Sequence, residues 1–165
     1  MKQSQANISC RRCFIHSVLL SILLVATTFN VKGQFLITKT ADLNFGTFYC
    51  VSGACSVTIS PLGVRTKTGN VVFLDQSAVY SAAQFIVSDI TDRTYSINAL
   101  PASISLSGPG TSMIADTFVS NPTVATGGTL TGGTQTINVG ATINLSGPQA
   151  SGIYTSIFSI TVEHP

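Results

Sequence analysis

Few side chains in this sequence are equipped to form a reactive site. Beyond Gly33 there is one histidine, His164, beside the terminal Pro165, and a chain end is poorly held unless a strand ties it down. The carboxylates Asp42, Asp75, Asp89, Asp92, Asp116 and Glu163 are scattered, and only Asp89 and Asp92, in the run SDITD, stand close together. Catalysis needs convergent groups with tuned protonation, so these residues point away from an enzyme. Asp89 and Asp92 could offer oxygens to calcium, which takes several. They match no complete loop motif, however, and read first as a solvated turn before Arg93. The pairs Gly127–Gly128 and Gly132–Gly133 are followed by no Gly-Lys-Ser or Gly-Lys-Thr, so they build no phosphate cradle. No cofactor and no metal are expected.

Cys50 and Cys55 enclose Val51, Ser52, Gly53 and Ala54. The spacing is not Cys-x-x-Cys and no histidine is near to lower a thiol pKa. In an oxidising compartment the pair is expected to form a local disulfide across a turn.

The compartment itself is read from the N-terminus. Lys2, Arg11 and Arg12 precede the apolar run Phe14 to Ala26, and the polar stretch Thr27, Thr28, Asn30, Lys32 follows. This is the charged-then-apolar order of an export signal, and the run is shorter than the roughly 20 apolar residues that cross a bilayer. The expected division is a signal peptide over 1–33 and one domain over 34–165, with Val31 and Gly33 as the small residues before the cut. Arg11–Arg12 faintly resembles a twin-arginine motif, for which ordinary leader charge is the simpler account. Cys10 and Cys13 lie before or at the start of the apolar run, so neither a lipid anchor nor a stable membrane anchor is expected. Periplasm, cell surface or an extracellular fibre is the expected location.

Losing the leader reverses the charge. The full chain has eight Lys and Arg against six Asp and Glu. Four of the basic residues precede Gln34, leaving four against six, a net −2. The remaining cations, Lys39, Arg65, Lys67 and Arg93, form no stripe along a phosphate backbone, which argues against nucleic acid.

The elements that would position any site are strands. Ile137, Val139, Ala141, Ile143 and Leu145 alternate with polar or small residues, the period of a strand with one buried face. Similar runs put Val57 and Ile59, then Ala83, Phe85 and Val87, then Tyr95 and Ile97 inward, with Ile104 and Leu106 forming a short strand. Turn formers separate them: Pro61-Leu62-Gly63, Thr68-Gly69-Asn70, Ser107 to Gly110, Asn121-Pro122, and the run TGGTLTGGT from Thr126 to Thr134, read as a flexible hairpin loop. Short strands at about 8–12-residue spacing without helical segments predict an antiparallel sandwich or barrel.

The segments LNFGTF (43–48), TISPLGVRTKTG (58–69), AAQF (82–85) and GIYTSIFSITV (152–162) resemble a bacterial exported family known as domain of unknown function 4402, over essentially 36–163. The resemblance implies an all-β, single antiparallel immunoglobulin-like sandwich of Greek-key type, related to fimbrial subunits and of no assigned activity. The C-terminal segment also resembles that of chaperone–usher pilins. Gly152 stands fourteenth from the end, and Tyr154, Phe158, Ile160 and Val162 alternate along one face. His164 replaces the usual tyrosine and Ser156 interrupts the row. Such a row suits a chaperone that adds its own strand, and an ordinary last sandwich strand reads the same way. The stretch QFLITKT (34–40), with Phe35 and Ile37 as pocket fillers, is either a donated strand or the domain's own first strand.

The leading expectation is therefore a non-enzymatic surface protein, a fimbrial or pilin-like subunit assembled by strand addition. Its expected partners are copies of itself, related subunits and a periplasmic chaperone. The alternative is a monomeric secreted binding module, adhesin-like and glycan-binding through loops at one end of the sandwich.

Overall fold

The computed structural model describes residues 35–74 and 79–164; the expected leader and Asp75 lie outside them. The alternating runs become strands, in the order β1 (Leu36–Ala41), β2 (Phe48–Cys50), β3 (Cys55–Ile59), β4 (Arg65–Thr68), β5 (Val71–Phe73), β6 (Ala83–Ser88), β7 (Thr94–Ala99), β8 (Ser103–Leu106), β9 (Met113–Asn121), β10 (Gly128–Thr129), β11 (Thr134–Leu145) and β12 (Thr161–Glu163). All the pairings are antiparallel.

β11 is the spine. One of its edges pairs β6 over Thr134–Val139 and then β3 over Ala141–Leu145, while β9 takes the other edge. β1 flanks β6, β4 flanks β3 and β8 flanks β9, giving a seven-stranded sheet. Gly140 lies where β11 changes partners, and a Cβ there would collide with the Ile59 carbonyl. Two smaller sheets, β10-β7-β12 and β2-β5, complete the architecture.

The apolar face of β11 serves two core clusters. Its first half, Ile137 and Val139, packs with Ala83, Phe85 and Val87 of β6 and Tyr95 and Ile97 of β7. Its second half, Ala141, Ile143 and Leu145, packs with Val57 and Ile59 of β3, with Cys50, and with Val71 of β5. The small sheets thus lie over one face of the large one, which makes the domain an antiparallel β-sandwich. Each fully buried Val or Ile contributes about 1.5–3 kcal/mol to that packing.

The structure corrects three expectations. The TGGTLTGGT run is no free loop: Gly128 and Thr129 pair with Tyr95 and Thr94, and Leu130 is 1% exposed. The Asp89 carboxylate is not solvated but fully buried. The nine-residue β9, together with β2, β4, β5 and β10, occupies sequence read as turns or left unassigned.

Candidate functional site

Two of the strands that lack a second neighbour among the described residues are β1 in the large sheet and β12 in the small one. Ile37 and Lys39 of β1 stand opposite Val87 and Phe85 of β6. Directly opposed residues share a face, so both side chains lie on the core side. Nevertheless Ile37 is 36% exposed and Lys39 is also exposed, its ammonium 2.6 Å from Asp42.

The other wall is the C-terminal segment. Gly152 has φ 152° and packs so close to Pro109 that a Cβ would collide with the proline ring. Thr155 exchanges two backbone hydrogen bonds of 2.9 Å with Ser107. Residues 156–160 then belong to no strand, and β12 resumes pairing with β7 through Thr161↔Ala99, Val162↔Ile97 and Glu163↔Ser96. Tyr154, Phe158, Ile160 and Val162 are half-buried on the inner side, whereas Ile157 is 93% exposed.

Each inward residue has identifiable contacts. The Tyr154 hydroxyl accepts from the Gly110 amide and donates to the Ala150 carbonyl, both at 3.1 Å. Phe158 meets Phe85 edge-on at 6.1 Å and Phe118 at 5.3 Å between ring centroids. Ile160 and Val162 pack with Phe158 on the cluster around Ile137 and Val139. Phe35, just before β1, lies 6.3 Å from the Tyr95 ring and 5.7 Å from His164, so the start of β1 and the end of the described chain meet. Beyond that contact, exposed Ile37 and half-buried Phe158 and Ile160 form a partly exposed apolar strip along the two edges, over core residues such as Val87 and Ile97 that are themselves buried.

Phe35 and Ile37 lie at the domain's own first strand, held by five residue pairs with β6. Cys50 and Cys55 form the disulfide between β2 and β3, buried in the cluster around Ile143 and Leu145. In the Asp89 turn, one carboxylate oxygen accepts from the Ile90 amide at 2.6 Å and the other lies 3.7 Å from Arg93 Nε. Asp92 accepts from the Gly133 amide at 2.6 Å. Both carboxylates therefore order backbone. Among the described residues no group of three His, Cys, Asp or Glu side chains could hold a metal ion, and no helix is long and apolar enough to cross a membrane.

Sequence reasoning missed two features. The Arg65 guanidinium lies between the Phe73 and Tyr80 rings, 3.7 and 4.3 Å from their centroids, and donates to the Phe45 carbonyl. A cleft of about 530 Å³ opens between the start of β7 and residues 122–129. The partners in both are brought together by loops, so no local pattern announces them.

No curated protein and no solved structure matches the chain. A sequence profile described as Domain of unknown function (DUF4402) matches residues 35–164. That span covers the whole sandwich, including β1 and the C-terminal segment, and the chain belongs to the DUF4402 family.

Proposed function

We propose that this domain is an exported, non-enzymatic subunit of a surface fibre, completed by a β-strand from another molecule. The observation that carries the reading is the partial exposure of inward-facing Ile37 on β1 and of Phe158 and Ile160 in residues 156–160, an apolar strip without full cover. Natural sandwiches blunt or cover their edges. Here two edges carry partly exposed inward-facing apolar side chains, which suits strand addition, with backbone hydrogen bonds for affinity and alternating pockets for specificity. The incoming strand would come from a second copy, a related subunit or, before assembly, a periplasmic chaperone. Export is supported by the leader-like composition of 1–33, and the Cys50–Cys55 disulfide suits an oxidising compartment.

The test is electrophoresis and size-exclusion of the mature chain, residues 34–165, without heating. Strand exchange predicts a ladder of species that resists mild denaturant and collapses on boiling. It also predicts that Ile160→Ser weakens the ladder, because that side chain faces the strip. A monomer at every concentration, with no capture by a periplasmic chaperone, would overturn the reading.

A further inference from the structure

The cleft at the opposite side of β7 has a chemistry of its own. It is lined by Thr94, Tyr95 and Ser96 from β7, by the segment Pro122–Thr129 apart from Thr123, and by Gln135 of β11. Hydroxyls, backbone groups and one carboxamide make up its polar surface, Pro122 and Val124 add apolar patches, and no lining residue is charged. At about 530 Å³ it falls within the common range for small-molecule sites, about 300–1,000 Å³.

Two polar atoms at its base lack hydrogen-bond partners. The Tyr95 hydroxyl and Gln135 Oε1 are both buried and unpaired, and Tyr95 as a whole is 2% exposed. Buried polar groups are nearly always satisfied, so two orphans together at one cleft call for a reason. Both lie against Gly128, where a Cβ would collide with each of them. Gly128 belongs to the two-residue β10, held to β7 through the pairs Gly128↔Tyr95 and Thr129↔Thr94. Gly128, which carries no side chain, lies directly against the two orphaned groups, and both belong to residues that line the cleft.

We propose that the cleft binds the hydroxyl groups of a neutral glycan, with Tyr95 and Gln135 as the buried hydrogen-bonding pair exposed by a slight outward movement of Gly128. A tyrosine hydroxyl can donate and accept, and a carboxamide does both through its two ends, which matches vicinal sugar hydroxyls. The uncharged lining selects against phosphates and carboxylates, whose charge would go uncompensated. Pro122 and Val124 offer apolar contact to the C–H face of a sugar ring. No residue of β12 or of 153–160 lines the cleft, so this site stands or falls separately from strand addition.

The test titrates isotope-labelled mature chain with mannose, galactose and N-acetylglucosamine, following backbone amide shifts. At least one sugar should shift the Gly127, Gly128 and Thr129 amides. Tyr95→Phe should weaken that response at least fivefold while the protein stays folded, and Gln135→Ala should weaken it too. If Tyr95 and Gln135 merely bond to one another after a carboxamide flip, Tyr95→Phe lowers stability and no sugar shifts these amides, which overturns the proposal. A response to sialic acid alone, or one undiminished in Tyr95→Phe, also overturns it.

Discussion

An unsatisfied buried hydroxyl costs a fold about 1–3 kcal/mol, so Tyr95 gives a residue-scale test free of any ligand. Tyr95→Phe keeps the ring that packs among Phe85, Ile97 and Ile137 and removes only the orphaned oxygen. We expect the variant to be more stable by about 1 kcal/mol, read as a raised urea midpoint. Burial also pushes the Tyr95 pKa above its ordinary value of 10.0. The folded state therefore holds its proton more tightly than the unfolded state, and the stability tied to that proton is intact below pH 10.0 and lost as pH rises through the folded pKa. The advantage of Tyr95→Phe should accordingly widen in alkali; midpoints for both proteins measured from neutrality to above pH 10.0 check it. Arg65 offers a second comparison. Its planar cation lies between two rings, and a lysine keeps the charge but not the stacking. Arg65→Lys should cost about 1 kcal/mol, again read from urea midpoints. Neither environment was legible in the sequence, because Phe73 and Tyr80 flank a loop and Gln135 reaches Tyr95 only where the large sheet packs against the small one. The pairing of Cys50 with Cys55 was legible, since five positions of chain allow little else.

At the scale of elements, strands that keep one phase were readable, and the strand that changes phase was not. β3, β6, β7 and β11 alternate without interruption, and the residues read as inward are the buried ones. β9 does not alternate in this way: Met113 and Ala115 face the core, and then Phe118 and Ser120 do. Thr117 and Phe118 stand opposite the single Ala141, a bulge at which Thr117 adopts φ 52°. One extra residue shifts the phase of everything after it, so a search for strict alternation passes over the strand. The C-terminal segment keeps its phase, which permits a paired test. Phe158→Ala removes a ring packed between Phe85 and Phe118 and should cost about 2–3 kcal/mol, less than a fully buried phenylalanine. Ile157 is almost wholly exposed, so Ile157→Ser should change stability by less than about 0.5 kcal/mol. Thermal melts of the two variants check the register, since a slip by one residue would exchange the outcomes.

At the scale of the whole molecule, the spacing of short strands and turns announced an antiparallel sandwich or barrel, but the division of labour along β11 was invisible. A single alternating run serves two clusters because β6 and β3 succeed one another on the same edge, and no local pattern records that handover. The apolar strip was equally hidden: its residues alternate like those of any sandwich strand, and only the structure shows that Ile37 is exposed and Phe158 and Ile160 half-buried. That exposure leads to the last prediction, at the level of backbone amides. In an isolated subunit, 156–160 lie outside any ladder and β1 has a neighbour on one side only. Hydrogen exchange tracks local opening, so these segments should exchange early, while β11, paired along both edges, should exchange last. A strand laid into the strip would pair with one or both free edges and cover Ile37, Phe158 and Ile160. Amides in 156–160, and those of β1 that point away from β6, should then slow together in the assembled species, while β11 changes little. Exchange followed by mass spectrometry on monomer and on multimer separated from one preparation makes the comparison direct. Protection that appears instead on β4 or β8, the other strands lacking a second neighbour in the large sheet, would mean that the molecules associate through a different edge.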